Sequence, residues 1–369
     1  MKIYLKQNVW DAALERINWL FDEFENIIVN VSGGKDSTVI WNLALMVAEQ
    51  RGRLPLKTMF IDQEAEWQAT IDHIRLVMHD PRVEPIWLQI PIKIFNATSP
   101  FTPWLYCWEE GKEWIREKEV NSRKVNCYGT DRFAQLFGAF TAAENPCAPA
   151  CCIAGVRCEE SPARYLGLTT YEVYKGATWG SVADKARKHV TMYPIYDWSY
   201  VDVWKAIHDN HWPYCRLYDY MYQYGVPVRN MRVSNIHHET ALTSLYYLQE
   251  VEPETWERVT QRLSGINTVG QMQSHFSRPT GLPFMFKDWK EYRNYLLEHL
   301  IVDPAIQEKM RRQFAGEERH YEGKALEELI RMEISCILVH DYHGTKRSTF
   351  RASHMMDSKN RGRISGRKN

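Results

Sequence analysis

The chain reads as an α/β protein: a parallel, twisted sheet with helices on both faces, continued by a mainly helical C-terminal region. Three observations carry this. Apolar or β-branched runs at 27–31, 56–61, 85–90 and 150–156 alternate with segments of helical period. The unusual polar residues directly follow three of those runs, where open parallel sheets hold ligands. After about residue 198 the apolar spacing is almost entirely helical.

The elements follow in order. Residues 8–25 place Val9, Trp10, Ala13, Leu14, Ile17, Leu20, Phe21 and Phe24 on one helical stripe, with Asn8 as its cap. Strand 27–31 runs into Ser32-Gly33-Gly34-Lys35-Asp36-Ser37, and a helix follows to about 50. Strand 56–61 ends at Asp62, and a helix is expected over 65–79. Strand 85–90 precedes an aromatic and charged stretch, 95–145, which reads as an insertion over one sheet edge. Strand 150–156 continues into Arg157-Cys158-Glu159-Glu160-Ser161. Helices are expected at 199–210, 213–224, 253–263, 289–300 and 323–339. The expected domains are 1–230, 231–345 and a basic tail, 346–369, expected to be disordered.

Composition bounds the function. The 369 residues are 44% hydrophobic and 25% charged, which excludes a disordered or low-complexity chain. Lysine plus arginine and aspartate plus glutamate balance at 46 each. From Lys346 onward, eight basic residues face one acid, so the tail carries +7 and the remainder −7. No apolar run is long enough to span a membrane, and no signal-peptide pattern opens the chain. With eight unevenly spaced cysteines, a reduced, cytoplasmic protein is expected.

The string Ser32 to Ser37 carries the chemistry. Two glycines let the backbone turn tightly and approach a ligand closely. The following helix offers unpaired N–H groups and a positive dipole end to an anion. Lys35 adds a point charge, and Ser32 and Ser37 add hydroxyls. The spacing is not that of a Walker A loop.

This string resembles the Ser-Gly-Gly-x-Asp-Ser signature of the PP-loop ATP-pyrophosphatase superfamily, of adenine nucleotide α-hydrolase-like fold. Gly155-Val156-Arg157-Cys158-Glu159-Glu160-Ser161 is similar to the Gly-x-Arg-x-x-Glu-Ser segment of PAPS (phosphoadenosine phosphosulfate) reductase-like domains. Tyr193 to Trp198, with Val201-Asp202-Val203-Trp204, resembles their Pro-Ile-x-Asp-Trp and Asp-Val-Trp stretch. The insertion and C-terminal region resemble the immunoglobulin-binding regulator A group, described as PAPS reductase or sulfurtransferase-like and often accompanied by a ParB-like partner.

The resemblance implies an adenine nucleotide, ATP or PAPS, held by Ser32, Gly33, Gly34, Lys35, Asp36 and Ser37. Arg157, Glu160 and Ser161 would join them, with the basic loop Lys185, Arg187 and Lys188 at the nucleotide's anionic end. Lys35, Asp36 and Asp62 are the candidate catalytic residues, and Asp62 with Glu64 the candidate Mg²⁺ ligands. The expected reaction cleaves ATP between the α and β phosphates to adenylate an acceptor, with sulfur transfer downstream. Two alternatives stay open: a reductase or sulfotransferase using PAPS itself, and a nucleotide-sensing regulator that binds nucleic acid through its tail.

Departures from the family pattern matter. Gln63-Glu64 stands where sulfonucleotide reductases have Thr-Gly, and the tail lacks their Glu-Cys-Gly-x-His nucleophile segment. Cys151-Cys152 has no later Cys-x-x-Cys, so no iron–sulfur cluster is expected. His237-His238-Glu239 and His340-Asp341-Tyr342-His343 lack zinc-site spacing.

Overall fold

A computed structural model describes residues 5–99, 101–233, 235–239, 241, 245–266, 279 and 281–365. The chain divides into two compact units. The first comprises residues 1–92, 107–112 and 116–233; the second comprises 93–106, 113–115 and 234–369.

The first unit opens with α1 (Val9–Glu23), where the Asn8 side chain accepts the Asp11 amide at 2.8 Å and Ala13, Ile17, Leu20 and Phe21 are buried. Then come β1 (Asn26–Asn30), α2 (Lys35–Gln50), β2 (Leu56–Ile61), α3 (Gln68–Met78) and β3 (Val83–Leu88). The short ladder of β4 (Ile92–Phe95) and β5 (Trp104–Cys107) belongs to the second unit apart from its first and last residues. The first unit continues with α4 (Phe133–Glu144), β6 (Ala150–Ile153), α5 (Pro162–Thr169), β7 (Gly180–Asp184), β8 (His189–Met192), α6 (Tyr200–Asp209) and α7 (Leu217–Gln223).

The six-stranded sheet has the order β3-β2-β1-β6-β8-β7. All neighbours are parallel except β7, which runs antiparallel to β8. The chain winds outward from β1 through β2 to β3, then crosses to β6 on the other side of β1. This reversal puts a switch point between β1 and β6, so the segments after those two strands flank one crevice. Helix α2 is buried on nearly every side, which fixes the loop before it to the core.

One expectation about this region changes, and one element is new. The stretch 95–145 is not one insertion: its helix α4 packs on β7 and β8 as part of the first unit, and 93–106 and 113–115 group with the second. Residues 180–192 form a hairpin, an element too short and too polar to show an apolar period.

The second unit contains α8 (Leu245–Val251), α9 (Pro253–Arg262), α10 (Trp289–Leu300), α11 (Pro304–Glu318), α12 (Gly323–Leu338) and α13 (Thr345–Ser365). Leu296, Leu297, Ile306, Phe314, Ile334 and Ile337 form its core. Within it Arg293 pairs with Glu333 and, at 2.6 Å, with Glu318.

The basic tail is helical through residue 365, against the expectation of disorder; residues 366–369 lie outside the described residues. The cause is local. Asp341 accepts the amides of Gly344, Thr345 and Lys346 at 2.8–3.0 Å, capping α13. Arg347 is buried against Glu317 and Gln313, and Ala352 is buried too. Among the described residues, no helix is long and apolar enough to cross a membrane.

Candidate functional site

The loop after β1 closes on its own hydroxyls. Ser37 Oγ donates to the Gly34 carbonyl at 2.8 Å and receives the Ser32 amide at 3.2 Å. Thr38 Oγ1 donates to the same carbonyl at 3.1 Å. Gly33 has φ +75°, and a Cβ there would stand 2.6 Å from Thr70 Cγ2. Gly155, beyond the end of β6, faces the loop so closely that a Cβ would meet the Asp36 carbonyl oxygen at 2.5 Å. Gly34 has ordinary room, with its nearest neighbours at 3.5 and 3.6 Å. The segments after β1 and β6, far apart in sequence, therefore meet backbone to backbone only because Gly155 has no side chain.

Charge is layered around the loop. Asp36 lies between two cations: Lys35 Nζ at 3.1 Å and the Arg157 guanidinium on its other oxygen. All three are buried. Burial, the largest influence, lowers the Lys35 ammonium pKa; the Asp36 charge opposes it. Arg157 also reaches Glu159 at 3.2 Å, and its amide donates to Glu160 at 3.2 Å. Ser161 caps α5, accepting the Arg164 amide.

The site also includes three residues that no local pattern marks. Arg164 pairs with Glu160, and Arg232 donates to the Glu160 carbonyl at 2.9 Å. Burial and then the like charge of Arg232 lower the Arg164 pKa. The Lys35 amide, at the first position of α2, donates to the Tyr218 hydroxyl oxygen at 2.9 Å. The Lys35 ammonium lies 5.5 Å from the centre of the Tyr218 ring.

The end of β2 is built differently, and two expected roles there do not fit. Asp62 is fully buried and accepts from Arg116 and the Glu64 amide on one oxygen, and from Trp87 and Gln89 at 2.9 and 3.0 Å on the other. Glu64, also fully buried at φ +63°, accepts the Trp108 amide at 2.6 Å. Four donors commit both Asp62 oxygens, so Asp62 does not fit as a Mg²⁺ ligand, and Glu64 is tied to the Trp108 amide beside it. Asp62 is likewise enclosed by protein donors, which leaves it no free lone pair to serve as a base. Among the described residues, no group of three His, Cys, Asp or Glu is arranged to hold a metal ion.

Lys185, Arg187 and Lys188 are a second correction. They form the turn between β7 and β8, where His189 pairs with Ala150 and Ala150 with Asn26. Those are the amino ends of parallel strands, the opposite end of the sheet from the loop. Arg187 spends its charge on Asp184 at 2.5 Å. The resemblance suggested the site; strand direction removes it.

Cys151 and Cys152 lie within β6, both buried, and burial raises both thiol pKa values. Cys336 is buried with its pKa raised for the same reason, so it is no thiolate nucleophile. In the second unit the two histidine segments come together, with the His238 and His343 rings 6.2 Å apart.

A model described as the phosphoadenosine phosphosulfate reductase domain matches residues 26–224, and one described as a domain of unknown function (DUF3440) matches 225–356. The chain is 30% identical over 342 residues to "Uncharacterized protein YbdN" of Escherichia coli (strain K12), covering 88% of this chain and 83% of that one. Among solved structures, Candida glabrata FMN adenylyltransferase matches at 16% identity and TM-score 0.37, over 57% of this chain and 58% of its own. A phosphoadenylyl-sulfate reductase from Candida auris, in a phosphate complex, matches at 15% identity and TM-score 0.36, over 64% of this chain and 99% of its own.

Proposed function

The chain belongs to the phosphoadenosine phosphosulfate reductase domain family, and from that premise we propose that its first unit is an ATP-using enzyme. It cleaves ATP between the α and β phosphates, adenylates an acceptor and releases pyrophosphate, with sulfur transfer as the downstream chemistry. The observation that carries this is the Ser32–Ser37 loop: a glycine turn at the switch point, opening a buried helix, with Lys35 and Arg157 on either side of Asp36.

The roles follow from position. The amides at the start of α2 receive phosphate oxygens. Lys35 offsets charge that develops on the leaving pyrophosphate, and Arg157 neutralises the anion from the β6 side. Asp36 holds both cations in place, so positioning and electrostatics supply the rate. Any Mg²⁺ arrives with the nucleotide as part of the substrate. The lack of an exposed tail thiolate argues for ATP over reductive use of PAPS.

The test pairs binding with turnover. ATP at about 100-fold its Kd should stabilise the protein by about 2.7 kcal/mol, and Lys35→Ala should abolish that gain. Pyrophosphate–ATP exchange should depend on the acceptor and vanish in the same variant. Stabilisation by PAPS but not ATP would transfer the assignment to a sulfonucleotide enzyme.

A further inference from the structure

Tyr218 is the group that the reaction scheme leaves unused. It is buried on α7 and packs edge-on against Trp204 at 5.1 Å. Its hydroxyl oxygen accepts the Lys35 amide at 2.9 Å, from a residue 183 positions away. That amide is the first of α2, one of the N–H groups a helix leaves for an outside acceptor. The Met231 carbonyl accepts Lys35 Nζ at 3.4 Å. The phenol is neutral: burial first, then the Asp36 charge, pushes its pKa up.

We propose that Tyr218 is a stand-in for phosphate: its oxygen occupies the acceptor position at the Lys35 amide, and an incoming nucleotide phosphate displaces it. This rests on the nucleotide reading above and adds its regulation. That oxygen ties the loop to α7. Displacement breaks this bond, so phosphate entry at the loop frees it from α7. The loop is kept satisfied and closed when empty, and binding becomes an exchange of one acceptor for another, which lowers apparent affinity.

The variant is Tyr218→Phe, which keeps the ring against Trp204 and under Lys35 and removes only the oxygen. Titrated with ATP and, separately, with inorganic pyrophosphate, it should bind about two- to tenfold more tightly than the wild type. Hydrogen exchange supplies a readout that packing alone would not move. Without ligand, the Lys35 amide should exchange faster in Tyr218→Phe; with ATP, the two proteins should protect it equally. Equal or weaker binding by Tyr218→Phe, or a Lys35 amide that exchanges equally in both unliganded proteins, overturns the stand-in and leaves the nucleotide site intact. If neither protein binds ATP or pyrophosphate, the nucleotide reading itself falls and takes this inference with it.

Discussion

The ends of β1 and β2 lie side by side in the sheet, and each carries an acidic residue on a tight turn. At the first, Asp36 faces cations on both sides, glycines thin the backbone, and a helix begins with no side chain of its own to cap it. At the second, Asp62 and Glu64 are sealed by Arg116, Trp87, Gln89 and Trp108. Charge at a strand end is thus a weak guide to chemistry. The number of donors already committed to it separates a site that receives a ligand from one that staples two segments.

The sharpest way to break this contrast is Asp62→Ala. It strands the buried Arg116 guanidinium and should cost about 3–5 kcal/mol in denaturant unfolding. A loss below about 1 kcal/mol would mean that the β2 end is looser than described. Gly155→Ala comes next: the new methyl must push the Asp36 carbonyl away, so ATP-dependent stabilisation should vanish while the unliganded protein still melts cooperatively. By the same geometry Gly34→Ala, which meets nothing closer than 3.5 Å, should keep most of that stabilisation.

A pH profile sharpens the contrast further. Glu66, buried beside Asp62, has its pKa raised from 4.5 to about 8, first by burial and then by the Asp62 charge. The folded chain therefore holds a proton that the unfolded chain has lost above about pH 4.5. Stability from this group is complete below that value, falls as pH rises towards about 8, and is flat beyond. Glu66→Gln should remove this decline, so the variant should gain on the wild type between pH 5 and 8 in chemical unfolding. The smallest effect belongs to the far end of the sheet. Replacing Lys185, Arg187 and Lys188 together with alanine should shift stability by about 0.5 kcal/mol or less and leave the ATP titration unchanged.

Legibility in the sequence followed the range of the interaction. Ser32 to Ser37 is a motif of six consecutive residues whose hydrogen bonds are mostly internal, so residue types and order sufficed. Strands β1, β2, β3 and β6 announced themselves as apolar runs because both faces of the sheet are covered. Asp62 was misread because its partner, Arg116, is 54 residues away. Tyr218 and Arg232 were missed because only α7 and the segment after it, folded back on the loop, make them neighbours of Lys35. Lys185 to Lys188 misled because the direction of β8 is set by pairing with β6, which composition does not report. The tail was misjudged because its helix rests on the Asp341 cap and the Arg347 pair, not on an apolar stripe.

The placement of Cys151 and Cys152 turns the central sheet into its own clock. Each thiol lies in β6, between β1 and β8, with at most 2% of its surface exposed. Alkylation requires a thiolate in contact with the reagent, and burial denies both conditions in the native state. Cys127 and Cys147 are exposed and will be consumed at once. The slow phase of a labelling experiment, followed by mass per residue, then counts openings of the sheet in the unmodified protein. Any ligand gripped by the loop beside β1 should lengthen that phase, which gives a label-based route to binding that needs neither turnover nor a known acceptor.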